Sequence, residues 1–503
     1  MGDVDCDNFT PELVAQFGRD VAECELISLD LEMSGITFPS DQQSGADSVP
    51  LRYQNLKSVV SSFGIIQVGI ALFVGGIAKV YNFYVFPRPV TEGSVNSIPL
   101  VTLCSASINF NRQHGMDFGR WISRGITWVN AKTEAELKTP SASWDKFFAG
   151  YSMEPCNTEE YLQQESAIME SIQEFIEDSS VATMRVPFVH GGQKLVKLLL
   201  YRVHQQFPNL RLIEEVSGGG SCRSLSKKSE SEILFDYTGF RQIWNLITHT
   251  NKPLVLHNGM LDLLFCFQAF EADLPAEIDS FKRSVRELFP GGIYDTRLIA
   301  LESGTVPSGG AALETLIDVL KSDTAAAVQI VNSGKYSDAI GQVHEAGYDA
   351  LITGQVFKAL QARIGDMQPW RNCVCVNRCL WTLSIDTLDT DRLVVENGKN
   401  RLVHALSDIK GTTREVIAAF DELGATVNIQ WINDTAGIVI VTWATTTQTT
   451  NAAVNAKILE IVRNSNALGD KVKISSANEY IKRQIDDINE ETANMLISKR
   501  FRM

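Results

Sequence analysis

Between Leu26 and Gly35 the chain reads LISLDLEMSG, with Leu29, Leu31 and Met33 alternating with two carboxylates, Asp30 and Glu32. A period of two predicts a β-strand, on which Asp30 and Glu32 project together from one face. Like charges side by side repel and are costly to desolvate, so that face is either open to water or compensated by a cation. The next apolar stretch, FGIIQVGIALFVGGIA at 63–78, has the hydropathy of a membrane span. It falls short of the ~18 residues a spanning helix takes, and Gln67 interrupts it. Gly75 and Gly76 separate two runs rich in β-branched and aromatic residues, IIQVGIALFV and IAKVYNFYVF. That pattern predicts two buried strands joined by a tight turn.

Farther along, YLQQESAIMESIQEFIED has helical periodicity, and GGQKLVKLLLYRVHQQFP predicts a basic amphipathic helix stopped by Pro208. The polar segment SGGGSCRSLSKKSESE at 217–232 reads as a flexible connection. From 240 to 365 an α/β pattern resumes, with a helix in FRQIWNLITHT and a short buried strand in PLVLHN. The last part has the order β-α-β-β-α-β, from NRLVHALSDI through ATVNIQWIND and TAGIVIVTW to KVKISS. This is a split βαβ unit of the length of an RNA-recognition-type module, an order shared with many ferredoxin-like domains. Its strands LVHAL and GIVIVTW offer mainly aliphatic residues, so base stacking on that sheet is not expected. The tail after Tyr480 reads as a polar helix or a disordered segment.

Composition narrows the class. A chain of 503 residues exceeds a single core, which implies roughly two to four domains. Sixty acidic against 45 basic residues, a net charge of −15, argue against coating nucleic acid broadly while leaving room for a local basic channel. Nine irregularly spaced cysteines fit reduced thiols better than a disulfide framework. Cys373, Cys375 and Cys379 lack the second half of a zinc site and read as small apolar residues at a strand. The acidic start, MGDVDCDNF, lacks the apolar core of a signal peptide, so a cytoplasmic or nuclear protein without a membrane anchor is expected.

Two further segments carry chemistry. In LHNGMLDLLF, His257 and Asn258 end a buried strand and Asp262 follows one helical turn later; in HEAGYDALITG, His344 and Asp349 stand five residues apart at a helix start. Singly, such an aspartate is most often a cap and a lone histidine a satisfied surface or core residue. Together with Asp30 and Glu32 they make four carboxylates and a histidine on a strand and two helices, a set that capping does not require. Phosphodiester hydrolysis requires an activated water, charge relief on the phosphate and a stabilised leaving oxygen. Two divalent cations ~4 Å apart supply all three when carboxylates hold them. Oxygen donors select Mg²⁺ or Mn²⁺, and a neighbouring histidine can accept the water's proton.

The order Asp-x-Glu, Asp, His-x4-Asp resembles the DEDDh class of 3′-to-5′ exonucleases. More closely, the chain resembles the poly(A)-specific ribonuclease family of deadenylases, through LDLEMSGI, RYQNLK, NFYVFPRP, HGMDFGRWISRGI, LHNGMLD, YDTRLIA and HEAGYDALITG. NIQWINDTAG and SANEYIKRQ are similar to that family's C-terminal module, and 160–230 occupies the place of its small inserted domain. That domain is named for an arginine/histidine motif, and Arg185 and His190 lie one residue farther apart than the motif has them. The resemblance implies a ribonuclease-H-like α/β exonuclease core at 1–158 and 233–370. It also implies an inserted α/β domain at 159–232, an RNA-recognition-motif-like domain at 371–482 and a polar tail at 483–503.

It further implies Mg²⁺-dependent removal of poly(A) tails as 5′-AMP, two ions per site with Mn²⁺ as a substitute, and a homodimer. The alternatives are a trimming exonuclease of small noncoding RNAs or a catalytically silent RNA- or cap-binding protein. By residue, the resemblance makes Asp30 the ligand bridging both metals, Glu32 and Asp349 ligands of the water-activating metal, Asp262 a ligand on the leaving-group side and His344 the general base. RNA contacts are implied at Met33, Ser34, His257 and Asn258, with Met33 standing where the family often has an aromatic. Phe110 and Phe118 are candidates for base stacking or for the core. Trp431 is similar to a tryptophan that stacks on the mRNA 5′ cap, against the alternative of an ordinary sheet tryptophan.

Overall fold

The computed structural model describes the chain apart from residues 1, 39–46, 91–94, 96, 139–147, 149–155, 187–192, 218–219, 306–310, 321–328, 332–333, 337–343, 378, 380, 387–400, 434, 443–450, 465–471, 477–478 and 481–503. His190 and the expected polar tail at 483–503 lie outside the described residues. Strands run in chain order as β1 (Asp3–Val4), β2 (Leu26–Met33), β3 (Ile65–Val74), β4 (Ile77–Tyr84), β5 (Thr183–Arg185), β6 (Arg211–Ser217), β7 (Gly220–Ser226) and β8 (Leu254–Leu256). They continue as β9 (Ile293–Asp295), β10 (Gln329–Ile330), β11 (Cys373–Cys375), β12 (Thr382–Ser384), β13 (Arg401–Ser407), β14 (Thr426–Asn433), β15 (Ala436–Thr442) and β16 (Lys473–Ser476). Three helices bear on the site: α1 (Ser105–Gln113), α2 (Met260–Cys266) and α3 (Ala346–Ile364).

A central mixed sheet has the order β1-β4-β3-β2-β8-β9-β11-β12, with β10 also pairing with β4. The predicted hairpin is β3–β4, antiparallel to each other, and β3 is antiparallel to β2. On its other edge β2 runs parallel to β8, and β8 parallel to β9. The alternation along β2 separates two environments. Ile27, Leu29, Leu31 and Met33 enter one large core, whereas Ser28, Asp30 and Glu32 face α3. Ser28 Oγ donates to the Ala350 carbonyl at 2.6 Å and ties the strand to that helix. Gly69 on β3 is the register partner of Asp30, and a Cβ there would stand 1.8 Å from the Ala346 carbonyl oxygen. The missing side chain is what lets the first turn of α3 settle onto the carboxylates. Among the described residues no helix is long and apolar enough to cross a membrane.

A three-stranded antiparallel sheet, β5-β7-β6, packs with helices Glu159–Glu177 and Gln193–Gln206 around Ile172, Leu199, Leu200, Val203 and Leu225. Here the flexible connection expected at 217–232 is corrected. It contains β7 and the start of helix Glu230–Thr238, where Ser229 and Glu232 form a capping box. Among the described side chains of β7, the fully buried Leu225 anchors the strand to that core, so it folds without the apolar alternation that would announce it.

The C-terminal strands form an antiparallel sheet of order β14-β15-β13-β16. Helices Thr413–Ala419 and Asn451–Asn464 cover one face around Leu406, Val416, Phe420, Ile429, Val439, Val441 and Ile458. From the opposite face Val403 and Ile438 join the large core alongside Trp381, Leu383 and Ile385. That packing accounts for the aliphatic strands, because a face pressed against apolar neighbours takes branched side chains rather than exposed aromatics.

Candidate active site

The four carboxylates converge because three elements end at one place. β2 carries Asp30 and Glu32, the first turn of α2 carries Asp262, and the first turn of α3 carries Asp349. Glu32, Asp262 and Asp349 are buried, at 9%, 7% and 8% exposure, while Asp30 keeps partial exposure. Burial and the repulsion of Asp349 and Asp262 hold the carboxyls of both Asp30 and Glu32 well above the usual range. Burial pushes Asp262 up to about 7, with Asp295 adding repulsion. Asp349 rises to about 7, mainly through burial and against a backbone hydrogen bond from His344. Burial beside neighbouring negative charge is an environment in which carboxylates favour a bound cation.

His344 sits beside them with its backbone in the left-handed region (φ 66°), and its N–H donates to Asp349 Oδ2 at 3.1 Å. One donor atom each from Glu32, His344 and Asp349 lie within 4.8 Å of one another, close enough to hold a metal ion. Burial lowers the His344 pKa, and His114 lowers it further, so the imidazole is neutral near pH 7. Glu345 immediately precedes α3, and Lys335 bridges it (2.6 Å) to Asp3 on β1 (2.7 Å), which Arg120 also holds (2.9 Å). The first residues of the chain therefore brace the segment that carries His344.

Asp295 fixes the turn between β8 and α2. Its carboxylate accepts the backbone N–H groups of Asn258 (3.1 Å), Gly259 (3.0 Å), Arg297 (3.0 Å) and Cys375 (2.9 Å). Asn258 is thereby held at φ 59°, and its buried Oδ1 finds no hydrogen-bond partner among the described residues. His257 bonds through Nδ1 to Thr296 Oγ1 at 2.9 Å; burial and Arg297 lower its pKa to about 3, so it stays neutral.

Several of the expected RNA contacts stand elsewhere. Met33 points into the large core and Ser34 is fully buried, its hydroxyl donating to Thr102 (2.7 Å) and accepting from Gly64 (2.9 Å). Their side chains brace the end of β2. Phe118 packs on Trp121 in a small core with Ile66 and Tyr84. Trp431 shares its strand face with Ile429, packs on the helical side of the C-terminal sheet and donates its indole N–H to Thr413 (2.8 Å). It is half-buried there, against the edge of that core, because side chains two apart on a strand share a face. Phe110 is 42% exposed and its ring meets His344. The sequence reading missed His114, which touches both rings; only its position in HGMDFGRW, one turn after Phe110, signalled it.

The site can thus gather divalent cations on oxygen donors and offer a neutral imidazole to a water molecule. A sequence profile described as CAF1 family ribonuclease matches residues 4–357. The chain belongs to the CAF1 ribonuclease family. Within it, the chain is 24% identical over 536 residues to the poly(A)-specific ribonuclease PARN of Xenopus laevis, covering 93% of this chain and 80% of that protein. It is 25% identical over 371 residues to the poly(A)-specific ribonuclease PNLDC1 of Mus musculus, covering 67% of each. Among solved structures, S. pombe Pop2p in its Mg²⁺- and Mn²⁺-bound form aligns with a TM-score of 0.39 and 17% identity, over 74% of this chain and 98% of that one.

Proposed function

We propose that this CAF1-family chain is a poly(A)-specific 3′-to-5′ exoribonuclease that releases 5′-AMP from adenylated RNA. The observation that carries the reading is the convergence of Asp30, Glu32, Asp262 and Asp349 beside His344, with the carboxyls raised chiefly by burial and, at Asp30 and Glu32, by the repulsion of Asp349 and Asp262. The poly(A)-specific activity named for relatives that align over most of the chain supports the substrate.

The donor set fits Mg²⁺ or Mn²⁺, since it is built of hard carboxylate oxygens whose repulsion a cation relieves. When bound, such ions supply charge relief on the phosphate and lower the pKa of the attacking water, and the four carboxylates are the residues that would hold them. His344, neutral and half-exposed, accepts the proton of that water. Asn258, with its unpaired Oδ1, and neutral His257 line the approach to α2 and orient the nucleotide backbone. The core is read as ribonuclease-H-like, with residues 159–232 an inserted domain and 371–482 an RNA-recognition-type module. The packed aliphatic face of that module makes it a scaffold rather than a stacking platform.

The test compares 5′-labelled RNA ending in A₂₀, RNA ending in U₂₀ and single-stranded DNA, with and without Mg²⁺. Stepwise shortening of the first substrate alone, dependent on metal, is expected. Equal loss of the DNA 3′ end, or no loss of any substrate, would sink the reading. Sedimentation of the same preparation tests the homodimer that the resemblance implies.

A further inference from the structure

Three aromatic rings close on one another at the rim of the carboxylate cluster. Phe110 and His114 lie 4.3 Å apart between centroids, Phe110 and His344 4.7 Å apart at 67°, and His114 and His344 4.4 Å apart at 73°. Near-perpendicular packing is a geometry that aromatic quadrupoles favour. His344 therefore rests its ring on two neighbours that both come from α1 and the residue capping it.

Among the described residues His344 has little else to orient it. Its side chain is 36% exposed, and it stands before α3, outside the turns that would restrict its rotamer. Its bond to Asp349 is made by its backbone, and Glu314, itself mostly exposed, is 3.8 Å from Nε2. By contrast α1 is fixed to the end of β2. Asn111 Nδ2 donates to the Met33 carbonyl (3.4 Å), and the Cys104 N–H donates to the Ser34 carbonyl (2.8 Å). His114 is fixed in turn, with Nδ1 at 2.9 Å from the Phe110 carbonyl oxygen. The strand that bears Asp30 and Glu32 thus also sets, through α1, where the two supporting rings stand.

We propose that His114 is a positioning residue whose ring, together with that of Phe110, holds the His344 imidazole in register with the β2 carboxylates. The inference rests on the reading of His344 as the proton acceptor. What His114 contributes is a flat aromatic face at the right place, so phenylalanine can replace it and alanine cannot.

The test uses the full chain as wild type, His114→Ala and His114→Phe, with two readouts. On adenylated RNA, His114→Ala is expected to lower kcat about tenfold with KM within about twofold, as a small misplacement of a reacting group does; His114→Phe restores kcat. In metal-free protein carrying ¹³C-labelled histidine, the His344 ring signals are assigned by their loss in His344→Gln. They are expected to move in His114→Ala and to stay ring-current shifted in His114→Phe. Unmoved His344 signals in His114→Ala overturn the proposal. So does a rise in KM in place of a fall in kcat, or a His114→Phe protein as slow as His114→Ala. If wild type leaves adenylated RNA intact, the proposed function fails, and the spectra alone judge the ring contact.

Discussion

Replacing Asp262 by Asn should stabilise the metal-free protein, and increasingly so as pH rises. Asp262 is 7% exposed and its carboxyl is pushed from 3.8 up to about 7, chiefly by burial. A carboxyl whose folded pKa exceeds its unfolded one keeps its proton in the folded state after the unfolded chain has lost it. The folded state is then penalised progressively between about pH 4 and pH 7, and the penalty is constant above. Three pKa units correspond to about 4 kcal/mol at pH 8, of which roughly 1.5 kcal/mol has accumulated by pH 5. Asn cannot ionise, so the stability gap between variant and wild type should widen by roughly 2–3 kcal/mol from pH 5 to pH 8. For a cooperative unit of this size that is a relative rise in Tm of roughly 2–5 °C. Thermal melts in chelator at pH 5, 6, 7 and 8 read it directly; removing the Asp262 charge also relieves Asp30 and Glu32, which moves the gap in the same direction. Excess Mg²⁺ should raise the wild-type Tm at pH 8 and raise that of Asp262→Asn less, since Asp30, Glu32 and Asp349 remain to hold one ion. A gap that stays flat or closes with rising pH would refute the electrostatic account of the site.

Asp30→Ala should abolish hydrolysis while matching or exceeding the wild-type Tm at pH 7.5 in chelator, since it removes one of four repelling carboxyls; near-normal turnover would contradict the ligand assignment. Asp295→Ala strips the acceptor from the N–H groups of Asn258, Gly259, Arg297 and Cys375, and should lower stability by ~3 kcal/mol, read as a fall in the urea midpoint. Gly69→Ala drives a Cβ into the Ala346 carbonyl and should cost about 1–3 kcal/mol together with most of the activity, as α3 is lifted from β2; a fully active, equally stable variant would show that the approach is dispensable. Trp431→Ala should destabilise the C-terminal module by about 2 kcal/mol and slow hydrolysis of capped and uncapped adenylated RNA alike; a loss confined to capped RNA would return this residue to cap recognition.

The parts of the site legible in the sequence are those encoded locally. The alternation in LISLDLEM determines which side chains share a face, and the short spacings in LHNGMLD and HEAGYD put a carboxylate in the first turn of each helix. What was not legible depends on residues far apart in the chain meeting. Ser34 reads as part of a motif until Gly64 and Thr102 are seen to occupy its hydroxyl. His114 has no meaning until residue 344 arrives beside it. Asp295, in the quoted YDTRLIA, is an unremarkable acid until Cys375, 80 positions later, donates to it. One error was avoidable by physics alone: Ser229 with Glu232 spells a capping box inside a segment read as flexible. Ile429, two residues before Trp431, likewise favoured the sheet-tryptophan alternative.

The C-terminal sheet faces two ways, its helices on one side and the large core on the other through Val403 and Ile438. A module attached in this manner is not a removable accessory. Cutting the chain near residue 370 would strip away Trp381, Leu383, Ile385, Val403 and Ile438 and leave the nuclease with a raw apolar wound, prone to self-association. Conversely, a destabilising change in the module would be transmitted to the core that supports β2. Heat should then dissolve both parts in a single transition, and the vulnerability of the enzyme to proteolysis would be governed as much by its last hundred residues as by the site itself.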